Sequence, residues 1–261
     1  MNLELHGKRA VVTAASGGLG YATALALARE GASVALCSRD GGRANEAAEG
    51  IARQTGATVH ALAADVADAG SLERFIEAAT AALGGLDILV CNAGGPPAGG
   101  FLALGEDGWL TAYHLTLMSV ARAVRFALPH FGDEGGRVLA IVSSSVKRPL
   151  DNLTLSNVFR PAVQGLCKSL SLELAPRGIQ VNCLAPGRVE TERVNALDAA
   201  LAAKRGIGVQ EVRAQSEAQI PLGRLGHPDE FGRVAAFLCS PAALYVNGTT
   251  LLVDGGAVTC L

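Results

Sequence analysis

The feature that most constrains this chain is a regular alternation of short, unbroken apolar runs with longer alanine-rich stretches of helical period. The runs are RAVVT (9–13), SVALCS (33–38), TVHALAAD (58–65), LDILVCNAG (86–94), RVLAIVSSS (137–145), IQVNCLAPG (179–187) and TLLVD (250–254). A strand that is apolar on both faces is buried on both faces. That is the pattern of a parallel sheet covered by helices above and below, with right-handed crossovers. Helices are predicted near 18–30, 42–54, 71–83, 107–131, 157–175 and 228–239, with one more inside the polar, alanine-rich segment 192–220. The expected fold is α/β, a single doubly wound parallel sheet of about seven strands in one domain over 1–261, with no linker or repeat.

Composition narrows the function classes. At 261 residues the chain is near the upper size for one hydrophobic core. Hydrophobic residues make up 49% and aromatics only 4%, so Ala, Val and Leu must fill that core. The formal net charge of -2 offers no basic excess for nucleic acid or an anionic membrane. Charged residues, at 18%, fall below a norm of about 25%, which excludes disorder and points to surface buried in the fold or between subunits. The six cysteines are scattered, with no Cys-x-x-Cys pair, so neither a metal site nor a disulfide framework is expected, and the expected compartment is the reducing cytoplasm. The N-terminal MNLELHGKRAVV carries charges where a signal peptide is apolar, and no run approaches the ~18 apolar residues of a membrane span.

The first strand runs into Thr13-Ala14-Ala15-Ser16-Gly17-Gly18-Leu19-Gly20 at the start of a helix. Gly18 and Gly20 lack a Cβ, so helix N-terminal amides can approach a diphosphate closely. A glycine turn alone is weak evidence, but its place in a βαβ unit is what a dinucleotide site of the Rossmann type requires. At the end of the second strand, where an Asp would bind the ribose 2′-hydroxyl, stand Ser38 and Arg39. Loss of the carboxylate and gain of a guanidinium favour a 2′-phosphate, hence NADP(H) over NAD(H). Asp65, after the third strand, is placed to accept from the adenine amino group, with Val66 beside it.

These residues, together with Asn92-Ala93-Gly94, Pro186-Gly187 with Thr191, and Tyr245-Val246-Asn247-Gly248 through Val253-Asp254-Gly255-Gly256, give the chain a resemblance to the short-chain dehydrogenase/reductase family over nearly its whole length. It resembles most the branch of the 3-oxoacyl-carrier-protein reductases. The resemblance implies that Thr13, Ser16, Gly18, Leu19 and Gly20 bind the cofactor. It implies that Asn92, Ala93 and Gly94 line the adenosine ribose, and that Pro186, Gly187, Val189 and Thr191 embrace the nicotinamide. One departure lies here: Ala14 stands where the family has its first glycine.

The larger departure is catalytic. The family uses an Asn, a Ser, and a Tyr followed four residues later by a Lys, the Tyr hydroxyl protonating the carbonyl oxygen as hydride arrives. Gapless counting from Gly136–Ser143 and from Val163–Leu170 places these positions at Thr116, Ser143, Ser156 and Arg160, so only the serine is retained. A serine hydroxyl ionises far above tyrosine's reference value of ~10 and is a poor acid. Arg160 keeps a positive charge, able to bind ribose hydroxyls or stabilise an oxyanion but not to shuttle a proton. Ser143 and Ser156 can donate hydrogen bonds to a developing oxyanion, each worth about 3 kcal/mol when well placed.

Blander readings stand beside these. Ser156 and Asn157 suit helix N-caps, and Pro161 suits a first helical position, which would start that helix late. Thr116 fits a helix residue bonding its own backbone. Ser144 and Ser145 are substrate contacts or polar strand-end residues; Tyr113 and His114 read as packing or surface residues. Lys147 is the one nearby group able to donate a proton, or else a solvated loop residue. Three functions follow: an NADP(H)-dependent oxidoreductase of carbonyl/alcohol substrates with altered proton delivery; a catalytically silent nucleotide-binding protein; and a non-redox lyase or dehalogenase. Halohydrin dehalogenases, which resemble this family, carry Arg at the Lys position, but they keep the Tyr and lose the glycine turn, the reverse of this chain. Segment 192–220, with Leu197, Leu201, Ile207, Val209 and Val212, is expected to be a substrate lid for a moderately apolar small molecule. Relatives imply a homo-oligomer, a tetramer or dimer.

Overall fold

Seven short strands, mostly of Val, Ile, Leu, Ala and Cys, meet in one sheet because none has a polar face to give to water. In the computed structural model, which describes residues 2–260, they are β1 (Arg9–Val12), β2 (Ser33–Ser38), β3 (Val59–Ala63), β4 (Ile88–Cys91), β5 (Gly136–Ile141), β6 (Ile179–Pro186) and β7 (Thr250–Val253). Their order is β3-β2-β1-β4-β5-β6-β7 and every pairing is parallel. The order reverses between β1 and β4, which opens a crevice beyond the carboxyl ends of those strands, where ligands of open α/β sheets bind.

The helices are α1 (Gly18–Arg29), α2 (Gly41–Thr55), α3 (Ala69–Leu83), α4 (Glu106–Ala112), α5 (Ser119–Ala127), α6 (Thr154–Glu173), α7 (Glu192–Arg205), α8 (Val209–Glu217) and α9 (Pro228–Leu238). Alternate strand residues split the core in two. Val11, Leu89 and Val138 face Leu72, Phe75 and Val163 of α3 and α6. Ala10, Val12 and Val90 face Leu27, Ile51 and Phe231 of α1, α2 and α9. Small alanines on α1 let it sit close to the sheet, which is how a core poor in aromatics fills its volume.

The predicted strands are all present, with ends within a few residues. Three helix expectations need correction. The long helix predicted over 107–131 is broken: α4 passes into a π-helical segment, Tyr113–Met118, before α5 resumes. Segment 192–220 holds two helices, α7 and α8, because Gly206 takes a left-handed φ of 66° and ends the first. The helix predicted near 157–175, for which Pro161 offered a later start, begins at Thr154 and runs through Pro161. Its N-cap position is Leu153, so Ser156 and Asn157 are not caps; the Asn157 amide instead clamps Leu150, accepting from its N–H at 3.0 Å and donating to its carbonyl at 2.9 Å. Among the described residues no helix is long and apolar enough to cross a membrane.

Candidate active site

A cleft of about 730 Å³ opens at the β1/β4 switch point and continues past the ends of β5 and β6. Its first wall is the turn after β1. Ala14 adopts a left-handed φ of 48°, the conformation that a glycine would take without strain. A Cβ at Gly20 would fall 2.6 Å from the Asn92 side-chain nitrogen and 2.8 Å from the Ala14 carbonyl, so only glycine fits there. Helix α1 has no side-chain cap, which leaves its first N–H groups free to meet an anion. Thr13 and Gly20 hold this turn from behind and are not among the lining residues: the Thr13 hydroxyl donates to the Asn92 carbonyl at 2.6 Å and accepts from the Asn92 N–H at 2.8 Å. The Asn92 side chain donates to the Ala14 carbonyl at 2.9 Å, tying β1 to β4 across the crevice.

The remaining residues expected to hold a cofactor, namely Ser16, Gly18, Leu19, Ser38, Arg39, Asp65, Val66, Asn92, Ala93, Gly94, Pro186, Gly187, Val189 and Thr191, all line the cleft. Ser16 Oγ and Ser38 Oγ lie 3.0 Å apart at the end of β2, with Arg39 beside them. Sequence reasoning missed Arg43, which also lines this end and pairs with Glu192 at 3.3 Å. Its signal was its spacing, four residues after Arg39 at the start of α2. The loop after β6 is pinned by a bridge between Val189 and Gly226, and Thr191 caps α7 by accepting from the Val194 N–H at 3.3 Å. Asn182 and Asn247 fasten the β6–β7 connection through main-chain groups of Val246, Thr249, Val181 and Ser171. That gives the Tyr245–Gly248 motif a structural role, with Tyr245 itself fully exposed.

The catalytic positions gather at the other end. Ser143, Ser156 and Arg160 line the cleft. Ser143 Oγ accepts from the Ser145 N–H at 3.1 Å, and the buried Ser145 and Ser156 hydroxyls lie 3.5 Å apart. Arg160 is 8% exposed; its Nη1 donates to the Ile141 carbonyl at 2.7 Å, while its Nε has no protein partner. Burial, and then the Arg193 charge, pull this guanidinium down to about 10, which leaves it charged at neutral pH. Thr116 lies buried in the π-helical segment, and its hydroxyl finds no hydrogen-bond partner, contrary to the expectation that it bonds its own backbone. Lys147 is not brought to the cleft. It is exposed and lines a separate cavity of about 500 Å³ with Gln164 and Lys168.

Residues 13–258 match the family described as enoyl-(acyl carrier protein) reductase. Dehydrogenase/reductase SDR family member 4 of Oryctolagus cuniculus is 35% identical over 255 residues, covering 97% of this chain and 94% of that one. The chain belongs to the short-chain dehydrogenase/reductase family. Among solved structures, L-sorbose reductase from Gluconobacter frateurii, complexed with NADPH and L-sorbose, superposes with a TM-score of 0.95 at 30% identity, covering all of both chains. A variant of actinorhodin polyketide ketoreductase, solved with NADPH, gives 0.92 at 29% identity, covering 97% of this chain and 98% of that one. Within this short-chain dehydrogenase/reductase, the cleft carries no Tyr, Lys, His or Cys among its described lining residues.

Proposed function

We propose that this protein is an NADP(H)-dependent oxidoreductase of carbonyl/alcohol substrates whose proton comes from water. The observation that carries the reading is a cleft built for a dinucleotide at one end and lined at the other by hydroxyls and a guanidinium, with no Tyr, Lys, His or Cys among its described lining residues. The Gly20 cradle and the uncapped start of α1 fit a diphosphate. Ser38 with Arg39 and Arg43 fits a 2′-phosphate better than a bare ribose hydroxyl, since a serine and not a carboxylate ends β2. The NADPH held by L-sorbose reductase and by the polyketide ketoreductase supports the same assignment.

When bound, the nicotinamide supplies or accepts the hydride. The chain supplies polarisation. Ser143 and Ser156 donate hydrogen bonds to the substrate oxygen, and the buried Arg160 charge favours negative charge developing there. Such a site suits a carbonyl whose reduced oxygen is a stabilised anion, such as a quinone or conjugated ketone, because protonation can then follow from solvent. Helices α7 and α8 form the lid, with Val194 and Leu197 offering a moderately apolar contact.

The test is NADPH oxidation over a panel of ketones and quinones, with Ser143→Ala alongside. Turnover that favours conjugated substrates, cut about a hundredfold in the variant, supports the reading. NADPH binding without turnover across the panel would favour a silent nucleotide-binding protein instead.

A further inference from the structure

Resting on the oxidoreductase reading above, we propose that the substrate carries a carboxylate and docks it against Arg160 and Arg193. Five arginines line the cleft, Arg39, Arg43, Arg160, Arg188 and Arg193, against two carboxylates, Asp65 and Glu192. Arg43 pairs with Glu192, and Arg188 with the buried Asp198. At the substrate end, Arg160 and Arg193 have no acidic partner among the described residues, and each donates only to a main-chain carbonyl, Arg160 to Ile141 at 2.7 Å and Arg193 to Pro96 at 2.8 Å.

A guanidinium buried as deeply as Arg160, with one N–H unpartnered, is a charge taken from water with nothing to offset it. Arg193, itself exposed, adds the repulsion of a second positive charge. The cofactor phosphates have partners of their own: free amides at the start of α1, and Arg39 and Arg43 by β2. The Arg193 guanidinium lies against Gly95 and Pro96 after β4, and Arg160 against the end of β5. An anion drawn there must belong to the substrate. A planar carboxylate matches a guanidinium in two hydrogen bonds, and Leu150, Leu153 and Leu197 offer apolar surface for the rest of an oxo acid.

The experiment compares 2-, 4- and 5-oxohexanoate with their methyl esters, in the wild type, Arg193→Gln and Arg193→Lys, and measures NADPH affinity in each by fluorescence. We expect at least one acid to exceed its ester in kcat/KM by about 30-fold, the scale of loss on truncating one partner of a desolvated charge pair. Arg193→Gln should cut that preference severalfold and leave the part that the buried Arg160 supplies, with ester turnover and NADPH affinity held within about threefold, and Arg193→Lys should keep more of it. If no compound turns over, the same contrast is read as binding to the enzyme–NADP⁺ complex through the single tryptophan, Trp109. Equal handling of acids and esters overturns the proposal. So does an Arg193→Gln loss matched by an equal loss of NADPH affinity, which would place the guanidinium on the cofactor diphosphate. Failure of the wild type to bind NADPH is a separate result: it removes the oxidoreductase reading and the carboxylate proposal with it.

Discussion

Arg160 Nη1 donates a 2.7 Å hydrogen bond to the main-chain oxygen of Ile141, joining the middle of α6 to the last residue of β5. The bond fixes a buried cation at the floor of the cleft, in place of a residue that could exchange a proton. A cation whose folded pKa is pulled down to about 10 costs stability at every pH below 10, and the cost fades only as pH rises above that. Arg160→Met removes the buried charge and forfeits one hydrogen bond worth about 1 kcal/mol. The ligand-free variant should therefore lie within about 1 kcal/mol of wild type, or above it, in denaturant unfolding, while kcat falls. A loss beyond about 3 kcal/mol would show that the charge is compensated within the protein.

That no Tyr, Lys, His or Cys stands among the described lining residues of the cleft has a kinetic consequence. With only arginines and carboxylates among the ionisable lining residues, kcat at saturating NADPH and substrate should be flat from about pH 6.5 to 9. A sloping limb inside that range, measured in buffers of constant ionic strength, would reveal a side-chain donor.

The turn after β1 stores a small strain. Ala14 has a φ of 48°, where an L-residue is penalised and glycine is not. Ala14→Gly is expected to raise stability by about 0.5–1 kcal/mol, or roughly 2 °C in Tm for a chain of this size. Its NADPH affinity should be unchanged.

The wild-type fold should weaken in acid through Asp87. Burial pushes the Asp87 carboxyl up, but the Arg9 side chain and N–H, bonding it at 2.8 to 2.9 Å, outweigh this and hold it below its usual range. A depressed carboxyl contributes stability above its unfolded pKa of ~3.9 and loses it as pH falls through the folded value. Asp87→Asn should cost about 1–2 kcal/mol at pH 7, a figure discounted for partial exposure, and the gap to wild type should close as acidification protonates the folded carboxyl, below the usual carboxylate range.

Much of the fold was legible because burial on both faces writes itself as unbroken apolar runs: RAVV and SVALCS could not be anything but central strands. The cofactor end was legible for a similar reason, since Gly18, Asn92 and Thr191 answer to fixed backbone geometry. What was not legible depended on tertiary contacts. Pro161 reads locally as a helix start, yet packing of α6 carries the helix through it, a break worth about 3 kcal/mol in isolation. The π-helical turn at Tyr113–Met118 has no mark in a sequence that is helical on either side. Lys147 sits four residues from Ser143 in the chain, but a short 3₁₀ turn at Ser144–Val146 intervenes, and its side chain lines the other cavity. Arg193 was hidden because only the fold brings the start of α7 against the loop after β4.

Hydride is proposed to pass between NADP(H) and a carbonyl in a cleft with no Tyr or Lys among its described lining residues. The direct measurement is reduction of a conjugated ketone by the wild-type protein with NADPH stereospecifically deuterated at the nicotinamide C4. The account predicts one deuterium at the carbinol carbon for each NADP⁺ formed, with the proton on oxygen drawn from solvent. Saturable NADPH binding with no deuterium delivered to any carbonyl or quinone tested would contradict it.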